Sequence, residues 1–60
     1  MKYRTFKRSA RNFEEFSMAK KVADQNGLTL EEARSRCKQW NENRTTAQIA
    51  AGTKMEFEQT

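Results

Sequence analysis

The chain has 60 residues, with 12 Lys or Arg against 8 Asp or Glu, for a net charge of +4. Only eight residues are Leu, Ile, Val or Phe, enough for one small core, so residues 1–60 are expected to form a single domain. No apolar run approaches the roughly 18 residues of a membrane-spanning helix, and the basic N-terminus lacks the apolar stretch of a secretory signal, which points to a cytoplasmic protein without a membrane partner.

The first eleven residues hold Lys2, Arg4, Lys7, Arg8 and Arg11 and no acid, so the whole positive excess sits at one end. Within this segment Met1, Tyr3 and Thr5 alternate with Lys2 and Arg4, as on a half-buried strand. Strict alternation from Tyr3 would put Phe6 on the charged face. The segment is therefore expected to stop being a strand near Thr5, with Phe6 tucked beneath the helix that follows; an exposed Phe6 would instead be a partner-binding residue.

A first helix is expected over Phe13–Asn26. Asn12 is placed to cap it, Glu15 stands three residues on, and Gly27 supplies a left-handed stop. Its apolar side holds Phe16, Ala19, Val22 and Ala23, flanked by Phe13 and Met18. A second helix begins after Thr29, whose capping box is completed by Glu32. Leu30, Ala33, Cys37 and Trp40 form its stripe at spacings of three, four and three; Arg44 extends the line, and fraying is expected at Asn41–Asn43. Thr45 and Gln48 repeat the capping arrangement for a short third helix, Thr46–Ala51, with Ile49 its one large apolar residue and Gly52 closing it.

Thr53 to Glu58 alternates polar and apolar residues at period two, a second strand. Pairing the two terminal strands lets Lys2 and Arg4 meet Glu56 and Glu58 on one face, and Tyr3 meet Met55 and Phe57 on the other. The fold class expected is therefore α+β: a small two-layer β-α-α-(short α)-β domain whose N- and C-terminal strands pair antiparallel and pack on a helical hairpin.

Composition narrows the chemistry. There is no histidine, and Cys37 is the single cysteine, so imidazole-based catalysis, an intrachain disulfide and the usual zinc ligand sets are all absent. No two carboxylates are spaced as an evident acid–base couple, and a fold this small has little room for a ligand pocket of about 300 Å3. The chain is thus expected to be no enzyme and to take no cofactor, metal or small-molecule substrate. Cys37, on the apolar stripe, is expected to be buried and inert, with Trp40 as the main core aromatic.

What remains is a binding or regulatory module. A protein partner, or self-association, comes first, because a lean core gains stability by assembly; Phe6 and Trp40 are the candidate contact residues. Nucleic acid is the alternative, through Arg4, Lys7, Arg8 and Arg11, whose charges would meet phosphates. A further variant comes from the helix-turn-helix motif, which Gly27-Leu28-Thr29 resembles when taken with Ala23 and Ala33. Asn26 and Arg36 depart from that motif by standing where it turns an apolar residue inward, and an ordinary helical hairpin accounts for the same residues. Under this variant Arg34 and Lys38 would join the nucleic-acid contacts.

Overall fold

The computed structural model describes residues 1–10 and 12–60, except for the side chains of Phe13, Phe16 and Ser17. The elements in chain order are β1 (Tyr3–Ser9), α1 (Phe13–Met18), β2 (Val22–Leu28), α2 (Leu30–Glu42), α3 (Thr46–Ala50) and β3 (Thr53–Gln59). The three strands form one antiparallel sheet in the order β2-β1-β3, so the N- and C-terminal strands pair as their alternation indicates and the class is α+β.

The β1–β3 register runs without interruption from Tyr3 opposite Gln59 to Ser9 opposite Thr53. It brings the expected opposite charges together with a change of partners. Arg4 pairs with Glu58 and Arg8 with Glu56, while Lys21, rather than Lys2, is the second cation on Glu58. On the other face the Tyr3 ring meets Phe57 edge-on, with 6.2 Å between centroids. β1 does not stop near Thr5. It continues to Ser9, and alternation holds throughout, so Phe6 lies on the charged face between Arg4 and Arg8 and is nevertheless only 4% exposed.

The largest departure from expectation is over Phe13–Asn26. The helix begins there, and the Glu15 amide donates to Asn12 Oδ1 at 2.9 Å, but α1 ends at Met18 and the second half of the segment is β2. β1 lies between two neighbours and has backbone donors and acceptors directed both ways; a helix over residues 22–28 would leave one side of it without a ladder. Val22, β-branched, and Asp24 and Asn26, weak helix formers, give up little by becoming extended. A third strand also turns an otherwise marginal two-stranded ribbon into a stable sheet. The apolar face expected for Phe13 and Phe16 lies outside the described side chains.

Gly27, read as a helix stop, is therefore a strand residue. It has φ +67°, and the register moves by one residue between Tyr3↔Leu28 and Thr5↔Gln25, and again between Thr5↔Gln25 and Phe6↔Ala23. Each shift inserts an extra residue in β2, with Gly27 supplying the left-handed backbone at the first. The helical hairpin and the helix-turn-helix reading both fail here, since what precedes Gly27 is a strand.

A single long helix, α2, covers the sheet. Its capping box is complete: the Glu32 amide donates to Thr29 Oγ1 at 3.1 Å and the Thr29 amide to Glu32 Oε1 at 2.9 Å. Ala33 and Cys37 are buried on the helix side, and Thr5 and Met55 on the sheet side. Burial pushes the Cys37 thiol above its usual pKa, in keeping with the unreactive role expected of it. Asn41, placed where the helix was expected to fray, is a structural anchor: its side-chain amide donates to the Met55 carbonyl and accepts from the Met55 amide, both at 3.0 Å. Arg44 donates to the carbonyls of Asn41 and Thr53. The short helix α3 carries the second complete capping box, on Thr45 and Gln48, yet its Ile49 is 57% exposed and adds little to the core.

Gly52, at φ +69°, joins α3 to β3, and a Cβ there would collide with the carbonyl oxygen of Ala10. Gly27 has the same backbone sign but open space around it. In urea denaturation, Gly27→Ala is expected to cost about 1 kcal/mol. Gly52→Ala should cost more, about 2–3 kcal/mol, because the backbone must also move away from the Ala10 carbonyl.

Candidate nucleic-acid interface

The end of the sheet where β1 finishes and β2 and β3 begin holds an open cleft of 510 Å3. β1 contributes Lys7, Arg8 and Ser9, the turn into β2 contributes Lys20 and Val22, and Trp40, Gln48 and Thr53 close the remaining sides. Among the described residues, the lining holds three cations and no carboxylate. Sequence reasoning expected too small a fold for any such space; it exists because the helical layer covers only part of the sheet.

Trp40 was expected at the centre of the core and lies at its margin. It is partly exposed, and the Lys7 ammonium stands 5.8 Å from the ring centroid, within cation–π range. The stripe of α2 explains this position. Ala33 and Cys37 meet the middle of the sheet, and Trp40, almost a turn beyond Cys37, reaches past the buried centre toward the end of β1. Lys7 lies on the helix-facing side of β1, opposite Met55, and its stem carries the charge out to the cleft.

The remaining expected contact residues divide. Arg8 borders the cleft while its guanidinium bonds Glu56, with Nε at 2.8 Å from Oε1. Arg4 is at the opposite end of β1, bonded through Nε to Glu58 at 2.6 Å. Arg34 and Lys38 are exposed one turn apart on α2, outside the cleft lining, and Arg11 lies outside the described residues. Phe6 is no exposed anchor: it is only 4% exposed, with the Lys21 ammonium 4.9 Å and the Arg8 guanidinium 5.4 Å from its ring centroid.

Sequence reasoning passed over Lys20, Lys21, Val22 and Gln48. The signal available for them was the Lys20-Lys21 pair immediately before a β-branched residue, a poor continuation of a helix. The two lysines separate in space. Lys20 lines the Trp40 cleft, and Lys21 lines a second groove of 270 Å3 along β1 and β2 that also takes in Arg4, Gln25 and Asn26.

Asp24, in that second groove, joins sheet to helix. Its carboxylate accepts from Arg36 Nε at 3.0 Å, from Arg36 Nη2 at 3.1 Å and from Thr5 Oγ1 at 2.8 Å. Thr5, 1% exposed, in turn accepts from the Gln25 amide at 3.1 Å. The Arg36 hydrogen bonds hold the Asp24 carboxyl below its ordinary pKa, and Lys21 and Arg4 do the same for Glu58.

Comparisons with protein-family models, with curated proteins and with solved structures find no match for this chain. Among the described residues, no helix is long and apolar enough to cross a membrane, and no three His, Cys, Asp or Glu side chains are grouped to hold a metal ion.

Depressed carboxyl pKa values stabilise the folded state above the unfolded carboxylate range, near pH 4, and that stabilisation is lost as pH falls through the lower folded values. The melting temperature is thus expected to be level from pH 7 to about 5 and to fall below about 4. Asp24→Asn should melt lower than the parent at pH 7 and show a shallower acid decline, both read by circular dichroism.

Proposed function

We propose that this protein is a non-enzymatic, cytoplasmic module that binds single-stranded nucleic acid in the Trp40 cleft. The observation that carries the reading is the convergence of Lys7, Arg8 and Lys20 around a partly exposed indole, in a cleft with no acid among its described lining residues. A ring for stacking and fixed cations for phosphates are the two parts of sequence-tolerant single-strand binding. Duplex bases already stack on one another and offer Trp40 no free face, which favours a single strand. In this reading a base takes up the indole face beside Val22, the Lys7 ammonium moves from the ring to an adjacent phosphate, and Lys20 meets the next one.

The sequence alone put a protein partner first, because a net charge of +4 makes few phosphate contacts and a lean core gains stability by assembly. Much of that charge is spent internally, since Arg4, Arg8 and Lys21 bond the glutamates of β3. Among the described residues no carboxylate bonds Lys7 or Lys20, and they are the cations assigned here to phosphate. The absence of histidine and the burial of the only thiol support binding over catalysis, and a free cysteine suits a reducing compartment.

Trp40 is the only tryptophan, so its fluorescence reports on the cleft directly. Titration with oligo(dT) or oligo(rU) at low salt is expected to quench it, with duplex DNA much less effective. With two to three phosphates engaged, the affinity should fall with a log–log salt slope of about −2. Lys7→Glu with Lys20→Glu should weaken binding at least about tenfold while the circular dichroism spectrum is kept, and Trp40→Ala, followed by anisotropy of a labelled oligonucleotide, should cost about 1–3 kcal/mol of binding. A flat titration with both oligonucleotides at low salt would remove the reading.

A further inference from the structure

We propose that the last three residues of β3, Phe57 to Gln59, form a two-fold edge-to-edge contact with the same segment of a second copy of the chain. The inference is independent of nucleic-acid binding and rests on which sheet edges are protected.

A sheet of three strands has two edges, each with unpaired backbone donors and acceptors that can recruit another strand. Along β2 the edge is broken by two register shifts and a left-handed glycine, which twist it away from a straight template. On β3 the first half is occupied. Asn41 holds both the amide and the carbonyl of Met55, and Arg44 takes the carbonyl of Thr53.

Because Met55 faces outward, strand alternation turns the backbone groups of Phe57 and Gln59 outward too. The Thr60 amide, bonded to the Lys2 carbonyl at 3.0 Å, confirms the phase by pointing inward. Four backbone groups therefore remain: the amide and carbonyl of Phe57 and those of Gln59.

These four groups are self-complementary. An antiparallel pairing about a two-fold axis at Glu58 sets Phe57 opposite Gln59 of the other copy and Gln59 opposite its Phe57, and each opposed pair exchanges two backbone bonds. The pairing ends where Asn41 already holds Met55, so the block fixes the register. Phe57, 37% exposed, would lie against the stem of the opposing Gln59.

Charge permits the approach. The two Glu58 carboxylates come face to face, but each is already bonded to Arg4 and Lys21, so four cations accompany two acids at the axis. Four bonds and two rings make a small contact, and the dimer is accordingly weak.

Sedimentation velocity should show a mass near 7.1 kDa at micromolar concentration, rising toward twice that value by about 1 mM. Gln59→Pro deletes an outward amide that β1 does not use, and should hold the protein at the monomer mass throughout. A mass independent of concentration in the parent, a dimer that survives Gln59→Pro, or growth beyond a dimer would each overturn the proposal. Should Gln59→Pro disturb the circular dichroism spectrum, amide exchange in the parent decides. Exchange of the Phe57 and Gln59 amides that slows as concentration rises supports the contact, and rates independent of concentration overturn it.

Discussion

The structure depends on β1 being hydrogen-bonded along both sides. Seven residues, Tyr3 to Ser9, carry a regular ladder to β3 and a bulged one to β2, and the rest of the chain is arranged to make that possible. With so few large apolar residues, burial alone would leave the fold marginal. Directional interactions supply the remaining specificity. Arg4 and Arg8 meet Glu58 and Glu56 on one face, and on the other Thr5 is locked to Asp24, which Arg36 ties to α2. The largest fully buried side chain among the described residues is a threonine, with its hydroxyl satisfied. In this domain a polar network does part of what an aliphatic centre does in a larger one.

That use of charge bears on function. A basic N-terminal segment suggests an adhesive surface, yet β1 uses its two arginines in cross-strand pairs, and Arg8 also lies over the Phe6 ring. The arginines thus hold the sheet together, and the candidate contact surface shifts to lysines at the sheet end. Lys7 and Lys20 come from different elements and meet only because β2 turns back beside β1. Trp40 joins them because its stripe continues past the point where the sheet can cover it.

Local signals were legible where local chemistry decides. The capping boxes of α2 and α3 are four-residue devices, complete within the sequence, and both form as their residues indicate. The β1–β3 pairing was legible for a different reason: two alternating segments carried opposite charges in matching positions. β2 was not, because its residues are undistinguished and its conformation is imposed by the unmet ladder of β1, a requirement that exists only after the sheet begins to form. For Phe6 the burial was legible and its setting was not, because the strand continues past Thr5 and the ring is buried on the charged face. The role of Asn41 was not legible either, where a residue suited to ending a helix is instead spent on the backbone of a strand.

The strand order has a consequence for how the chain comes together as it is made. β1 emerges first, and its neighbour β3 follows more than forty residues later, while β2 and α2 lie between them. The nascent polypeptide must therefore keep one side of its central strand uncovered until β3 is made. The segment then exposed, Arg4 to Arg8, is rich in cations with their glutamate partners still unmade. Mutual repulsion along that stretch keeps nascent neighbours from zipping together, so the charges that clamp the finished sheet also guard the unfinished one.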